Sequence, residues 1–467
     1  MRYDLAVIGG GSAGLSIAAA AAQVGQSVVL FEKDRMGGDC LNRGCVSSKT
    51  LLAVAKRSHE IRRSAALGLQ STLGAVDSGA IDARIQSVIH ALEPHDSEER
   101  FEGLGVKVVR HEARFIGPDQ IEAGGEVFRA RRYVIAAGAK PAIPEIAGLV
   151  ETPYLTYETF FAPFVLPRRL IIIGAGFIGV EFAQACRRLG SDVTLIDVRA
   201  PLAGADPELS DIIIGKLTSE GVRFVAPAKP TLVRATPQGI AVAIEGMDEI
   251  LGSHLLIATG RRPNLNGLSL DTAGVRATPQ GIVTDRHLRT SNRRIYAIGD
   301  VAGQGQFTHL AARHATLVFR HAFLGLGMST APTPRVLYTD PELAEAGLNE
   351  KEARAQFGDN IVVHKRAFSD IDRAVIDGTT DGMIKLIVTR RGRILGVAIA
   401  GASAGELIQP WLVAMANGLT IGSMARPILP YPTLGEIGRK LAIDHYAHLA
   451  SNSWVRRAIR LVAAFKR

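Results

Sequence analysis

The feature that most limits how this chain can fold occurs twice. DLAVIGGGSAGLSIAAAAAQVGQSVVLFEK (Asp4 to Lys33) runs from an apolar, β-branched stretch through a glycine-rich turn into an alanine-rich segment and a second apolar stretch. LIIIGAGFIGVEFAQACRRLGSDVTLIDV (Leu170 to Val198) repeats that order. Each reads as strand, turn, helix, strand. The turns carry Gly9, Gly11 and Gly14 in the first copy and Gly174, Gly176 and Gly179 in the second, both in GxGxxG spacing. Glu32 and Asp197 end the second strands, each 18 residues beyond the third glycine. A lone GxGxxG says little, but this full context is the fingerprint of dinucleotide binding. The first glycine allows the tight turn, the second lets backbone approach a pyrophosphate, and the third lets helix and strand pack closely. The helix N-terminus favours phosphate charge, and the acid accepts from a ribose hydroxyl. Two such units predict an α/β chain with two Rossmann-like domains and two cofactors that exchange electrons.

A chain of 467 residues accommodates two to four domains, and its 47% hydrophobic and 21% charged residues are ordinary for a globular protein. Three cysteines exclude a secreted disulfide scaffold. The first residues, MRYDLAVIGGGSAG, enter an apolar strand at once, so no signal peptide is expected. No charge-free apolar run reaches the roughly 18 residues of a membrane span, and cytoplasm is the expected location. A net charge of +9, from 54 basic and 45 acidic residues, suits an acidic ligand such as cofactor phosphates. No nucleic-acid partner is expected.

Two of the three cysteines lie in GGDCLNRGCVSSKT (Gly37 to Thr50), as Cys40 and Cys45. They suit a metal site, an inert disulfide, or a pair that is oxidised and reduced in turn. A metal would want two more ligands, and only scattered histidines such as His59 are on offer. An inert disulfide fits poorly with a cytoplasmic location. Residues five apart on a regular helix have Cα atoms about 8 to 9 Å apart. A disulfide tolerates less than about 7 Å. Cys40 is therefore expected in a lead-in loop or a distorted first turn, where Gly44 frees the backbone, with a helix running on through SSKTLLAVAKRSHEIRR. A helix start lowers a thiol pKa and makes a reduced pair reactive. Cys186, within the second Rossmann helix, reads as a core residue. Two further segments echo each other, VIAAGAKPAIP with Gly138 and LIATGRRPN with Gly260, each a strand turning at glycine. IYAIGDVAG then ends a short strand at Gly299 and Asp300.

Over residues 3 to 445 the chain resembles the class I pyridine nucleotide-disulfide oxidoreductases, the family of dihydrolipoamide dehydrogenase, glutathione reductase and mercuric reductase. The resemblance implies FAD on the first glycine motif (Gly9, Gly11, Gly14, Glu32) with Gly138, and on Asp300, which would hold the ribityl chain. It implies NADH or NADPH on Gly174, Gly176, Gly179 and Gly260. Asp197 suits the free 2′-hydroxyl of NADH, with Arg199 nearby for a phosphate if NADPH is used. The family order implies an FAD-binding domain over 1–151 and 275–333, an NAD(P)H-binding domain over 152–274, an α+β dimerisation domain over 334–445, and a tail over 446–467. Chain punctuation agrees: ETPYL near 153, PNLNG near 264 and APTP at 331–334. The run PRVLYTDPELAEAGLNEKEA (Pro334 to Ala353) resembles the opening of the dimerisation domain, so a homodimer is expected. By the same resemblance Cys40 and Cys45 form the redox disulfide, Cys45 nearest the flavin and Cys40 meeting the acceptor, a small molecule or small thiol. Lys49 matches the lysine beside the flavin, Glu181 its partner, and Phe177 the aromatic that covers the nicotinamide pocket.

The chain departs from the family pattern at two places. Ser47 replaces the proline of GCVPSK. More consequential is ILPYPTLGE (Ile428 to Glu436), where disulfide-reducing members carry HPTxxE. Tyr431 stands at the position of the acid/base histidine, and Glu436 is kept. Tyrosine titrates near 10 and makes a poor base at pH 7. Mercuric reductases resemble this chain in having tyrosine there, yet they end in a paired-cysteine tail, and no cysteine follows Cys186 here. Nor is an N-terminal metal-capture domain read from the sequence. The final acceptor is therefore expected to be a disulfide, a thiophilic metal ion or another small molecule. A non-catalytic FAD-holding redox sensor and a membrane-surface NADH:quinone-type reductase are the alternatives. The tail SWVRRAIRLVAAFKR adds a helical wheel with Trp454, Val455, Ala458, Ile459, Leu461, Val462 and Phe465 on one face, opposite Arg456, Arg457, Arg460 and Arg467. Such a helix suits either packing on the dimer or peripheral contact with an acidic inner membrane leaflet.

Overall fold

A computed structural model describes residues 2–327, 331–451 and 453–465, leaving the side chains of 448–451 and 465 aside. The chain divides into two compact units, Met1–Ala200 with Gly221–Ser329, and Pro201–Glu220 with Thr330–Arg467.

In the first unit, β1 (Arg2–Ile8), α1 (Ser12–Gln23) and β2 (Val28–Phe31) follow the expected strand–turn–helix–strand order. β1 pairs in parallel with β2, Leu5 opposite Val28, and on its other edge with Glu126–Ile135, Val7 opposite Val134. Ile295–Ala297 joins the far side of that strand, again in parallel. Alternate β1 residues feed two different cores: Leu5 and Val7 pack with α1, while Ala6 and Ile8 pack with Phe31, Phe128 and Tyr133. A strand buried on both faces must be apolar throughout, which is why this segment shows no polar alternation. The second glycine motif repeats the arrangement. Arg169–Ile173, Asp192–Ile196, Arg223–Val225 and His254–Ile257 form a parallel sheet, with the helix Phe177–Leu189 between its first two strands. Cys186 on that helix is fully buried.

The second unit is built on a five-stranded antiparallel sheet, Arg335–Leu337, Glu342–Gly347, Ile394–Gly401, Met383–Thr389 and Ile361–Ala367 in spatial order. Helices Gln409–Ala416 and Glu436–Ser451 contribute Trp411, Ile437 and Leu441 to its core. The helix Pro207–Ser219 also belongs to this unit. Its cap residue Asp206 lies 2.9 Å from Lys385, whose ammonium also meets Glu208 and Glu350. Lys385 and Asp206 are both only 4% exposed, and a lysine so placed needs its carboxylates to remain charged. The C-terminal helix Ser453–Phe465 ends the described chain.

Candidate active site

The two glycine turns are shaped from within. A Cβ on Gly14 would stand 1.9 Å from the Gly9 carbonyl oxygen, and one on Gly179 1.9 Å from that of Gly174. The third glycine of each motif is thus dictated by helix packing alone. The middle glycines face open space: beside Gly11 the nearest atom is the Gly38 Cα at 3.8 Å, and Gly176 has none within 4 Å. That cleared strip at a helix start is where a pyrophosphate fits. Glu32 accepts from the Gly10 N–H at 2.6 Å, and Asp197 accepts from the Ala175 N–H at 2.7 Å, so each acid is tied to its own turn. Gly138 and Gly260 both turn with positive φ, and Ala139–Pro141 pairs antiparallel with Arg261–Pro263 just beyond them. Phe177 opens its helix, half-buried. The residues present therefore fit an FAD at the first motif and an NAD(P)H at the second.

The thiol pair sits where several helices begin. Cys45 is the first residue of α3 (Cys45–Arg63), as anticipated. Cys40 differs from expectation. It lies in a separate five-residue helix, α2 (Gly38–Asn42), rather than in a loop or the first turn of α3. Asn42 explains the difference, because its side chain donates to the Met36 and Gly38 carbonyls and closes the short turn. The break falls at Arg43 and Gly44, whose φ of −114° and ψ of −105° are not helical. Both cysteines are free thiols. Thr308, first residue of the helix Thr308–Leu324, places its hydroxyl 3.3 Å from the Cys40 sulfur and 3.4 Å from that of Cys45. Ser12, first residue of α1, also bonds Cys40. Helix N-termini favour thiolate. The Cys40 thiol, then the Thr308 hydroxyl and the Lys49 ammonium, outweigh burial and pull Cys45 down to about 6. Its hydrogen bond to Cys45, with burial added, pushes Cys40 well above the usual thiol range. Lys49, one turn along α3, pairs with Glu181 at 2.8 Å. Glu181 is only 7% exposed, which holds the lysine in one place.

Beside the thiols is a cluster the sequence reading did not single out. Arg261 donates to Asp300 at 2.5 Å, to Asp39 at 2.8 Å and to the Tyr157 hydroxyl at 3.1 Å. It links Asp39, the residue before Cys40, to Asp300. Burial raises the Asp300 carboxyl above its ordinary range, with Arg261 opposing that shift. The loop before Asp300 is itself pinned, since the Gly299 N–H donates to the buried His314 ring at 3.2 Å. Arg261 stood beside Gly260 in LIATGRRPN, but its partners lie at positions 39, 157 and 300, and no sequence spacing announces them.

In the second unit, Tyr431 is 69% exposed and donates to Asp372 at 2.9 Å. That bond raises the tyrosine pKa further, so the phenol holds its proton more firmly still. Tyr431 and Glu436 are not joined by a hydrogen bond. One carboxylate oxygen of Glu436 is buried without a partner among the described residues.

The family profile described as pyridine nucleotide-disulphide oxidoreductase matches residues 3–315, and that of the family's dimerisation domain matches residues 333–442. Among curated relatives, a mercuric reductase of Streptomyces lividans is 36% identical over 451 residues, covering 93% of this chain and 94% of the relative. A dihydrolipoyl dehydrogenase of Thermus scotoductus is 33% identical over 449 residues, covering 93% of this chain and 95% of the relative. Among solved structures, the HOCl-induced flavoprotein disulfide reductase RclA of Escherichia coli superposes with a TM-score of 0.85 at 27% identity, covering 94% of this chain and 99% of that one. LpdA of Mycobacterium tuberculosis gives 0.87 at 27% identity, with the same coverage. These relatives favour a disulfide-reductase type of enzyme over a redox sensor or a quinone reductase. The dimerisation domain makes it a homodimer. The chain belongs to the pyridine nucleotide-disulphide oxidoreductase family, whose members are FAD-dependent enzymes that draw electrons from NAD(P)H.

Proposed function

We propose that this enzyme reduces a thiophilic metal ion, with Cys40 and Cys45 as the redox pair and NADH as the electron source. Bound FAD would supply the two-electron relay between the nicotinamide and the sulfurs. The chain's own residues do the rest. Lys49, fixed by Glu181, and Thr308 hold negative charge at Cys45. Cys40 keeps its proton until an acceptor draws it off. Asp197, tied to its turn, favours the free 2′-hydroxyl of NADH over a 2′-phosphate.

The observation that carries the choice of acceptor is Tyr431 bonded to Asp372. A dithiol substrate must surrender protons, and a positioned base contributes about 10² to 10⁴ in rate. A tyrosine whose pKa is raised makes a poor base. A soft metal ion binds sulfur strongly enough to displace the Cys40 proton to water, so no positioned base is required. Mercuric reductases among the relatives, and a Cu(II) complex of the E. coli reductase, support this reading. The test is anaerobic NADH consumption with Hg(II), Cu(II), lipoamide and glutathione disulfide as acceptors. Turnover is expected with a metal ion and weak with both disulfides. Fast lipoamide turnover without metal turnover would reverse the assignment. We place the enzyme in the cytoplasm. No helix among the described residues is long and apolar enough to cross a membrane.

A further inference from the structure

Beyond the matched dimerisation domain lies the helix Ser453–Phe465. At 100° per residue, Trp454, Val455, Ala458, Ile459, Leu461 and Val462 share an arc of about 160°, and Arg456, Arg457 and Arg460 take the opposite side. Among the described residues this arc is largely exposed. Trp454 is 75% exposed, Ile459 and Leu461 61%, and Val462 57%. A lone helix of this length is marginal in water, so an apolar face of this kind needs a surface to lie on. A two-stranded coiled-coil seam is narrower than this arc and normally extends over more than two heptads.

Charge indicates which surface. No acidic residue follows Asp444, while Arg456, Arg457, Arg460, Lys466 and Arg467 are all basic, the last two lying outside the described residues. The Arg457 guanidinium lies 5.9 Å from the centre of the Trp454 ring, joining a cation to an aromatic of the kind that settles at headgroup depth. The helix is about 20 Å long, too short to span a bilayer and long enough to lie along one.

We infer that Ser453–Phe465 is an interfacial helix that seats the enzyme reversibly on a bilayer rich in anionic lipid. The apolar arc enters the acyl boundary and the arginines pair with lipid phosphates. The homodimer carries two copies, so one helix holds the other near the surface after the first has bound. The inference is independent of the acceptor, because the helix contains none of the redox residues.

The test is sedimentation of the FAD-loaded, full-length enzyme with vesicles of phosphatidylcholine alone, and with vesicles in which roughly a third of the lipid is phosphatidylglycerol. Most of the protein is expected to pellet with anionic vesicles at low salt and to stay in the supernatant with neutral ones. Raising the salt should release it. Deleting residues 453–467, or the milder Leu461→Asp, should abolish pelleting while NADH oxidation stays at wild-type rate. Retention of the full-length protein in the supernatant with anionic vesicles overturns the inference. So does equal binding to neutral vesicles, or binding that survives both variants. Light scattering covers the rival occupant: if deletion changes the oligomeric state and no vesicle binding occurs, a second copy of the chain covers this face instead.

Discussion

Thr308 Oγ1 lies 3.4 Å from Cys45 Sγ, a contact between residues 263 positions apart. The same hydroxyl lies 3.3 Å from Cys40 Sγ, and its single proton goes to the sulfur that carries the charge. One side chain at a helix start thus attends both sulfurs, and its removal should change their ionisation without touching either cysteine.

A hydrogen bond to a charged group is worth about 1.5–3 kcal/mol, and one pKa unit is 1.36 kcal/mol. Thr308→Val should therefore raise the Cys45 pKa by at least about one unit. The sign follows from the direction of the shift. Cys45 is lowered from the ordinary 9.0 to about 6, so its thiolate dominates above about 6 and is lost as pH falls through that value. The measurement is the long-wavelength absorbance of the two-electron-reduced enzyme between pH 5 and 9. In wild type the band should fade near pH 6, and in the variant its midpoint should move to about 7 or above. An unmoved midpoint would show that Thr308 does not carry the thiolate.

Tyr431 gives the second prediction. Replacing it by histidine restores a side chain that titrates near 6.5 and shares protons at neutral pH. Tyr431→His should raise dihydrolipoamide oxidation by about ten-fold or more, within the range a positioned base supplies. Steady-state rates from pH 6 to 9 decide it. A fast wild-type enzyme, unchanged or slowed by the substitution, would mean that another group takes the proton.

Ser47 gives a prediction about stability. The side chain is fully buried, and its hydroxyl has no hydrogen-bond partner among the described residues. An unsatisfied buried polar group costs about 1–3 kcal/mol. Ser47→Ala should stabilise the protein by about 1 kcal/mol, at the low end because some relaxation is expected. Ser47→Pro should be tolerated, because the first helical turn has no internal acceptors for its N–H groups to lose. Denaturant unfolding of FAD-loaded protein measures both. A destabilised alanine variant would show that the hydroxyl has a partner in the loaded enzyme.

What could be read from the sequence was local and periodic. The glycine turns at Gly9 to Gly14 and Gly174 to Gly179 were legible because packing and ligand approach demand glycine at fixed spacing. Glu32 and Asp197 were legible from the length of the helix that carries the chain to them. The Lys49–Glu181 pair came from resemblance, and the structure brings the two together at 2.8 Å. The Arg261 cluster was not legible, because Asp39, Tyr157 and Asp300 reach it from separate parts of the chain. Thr308 and His314 were hidden for the same reason. The short helix around Cys40 was missed because it depends on Asn42 bonding back to Met36 and Gly38, a contact that spacing rules do not weigh.

We propose that Cys45 is the thiolate that stands against the flavin. Anaerobic titration of the FAD-loaded enzyme with NADH, wild type beside Cys45→Ser, tests this directly. Wild type is expected to show a long-wavelength charge-transfer band after two electrons per protomer, and Cys45→Ser a flavin that stays bound and shows no such band. A band that persists in Cys45→Ser would contradict the proposal.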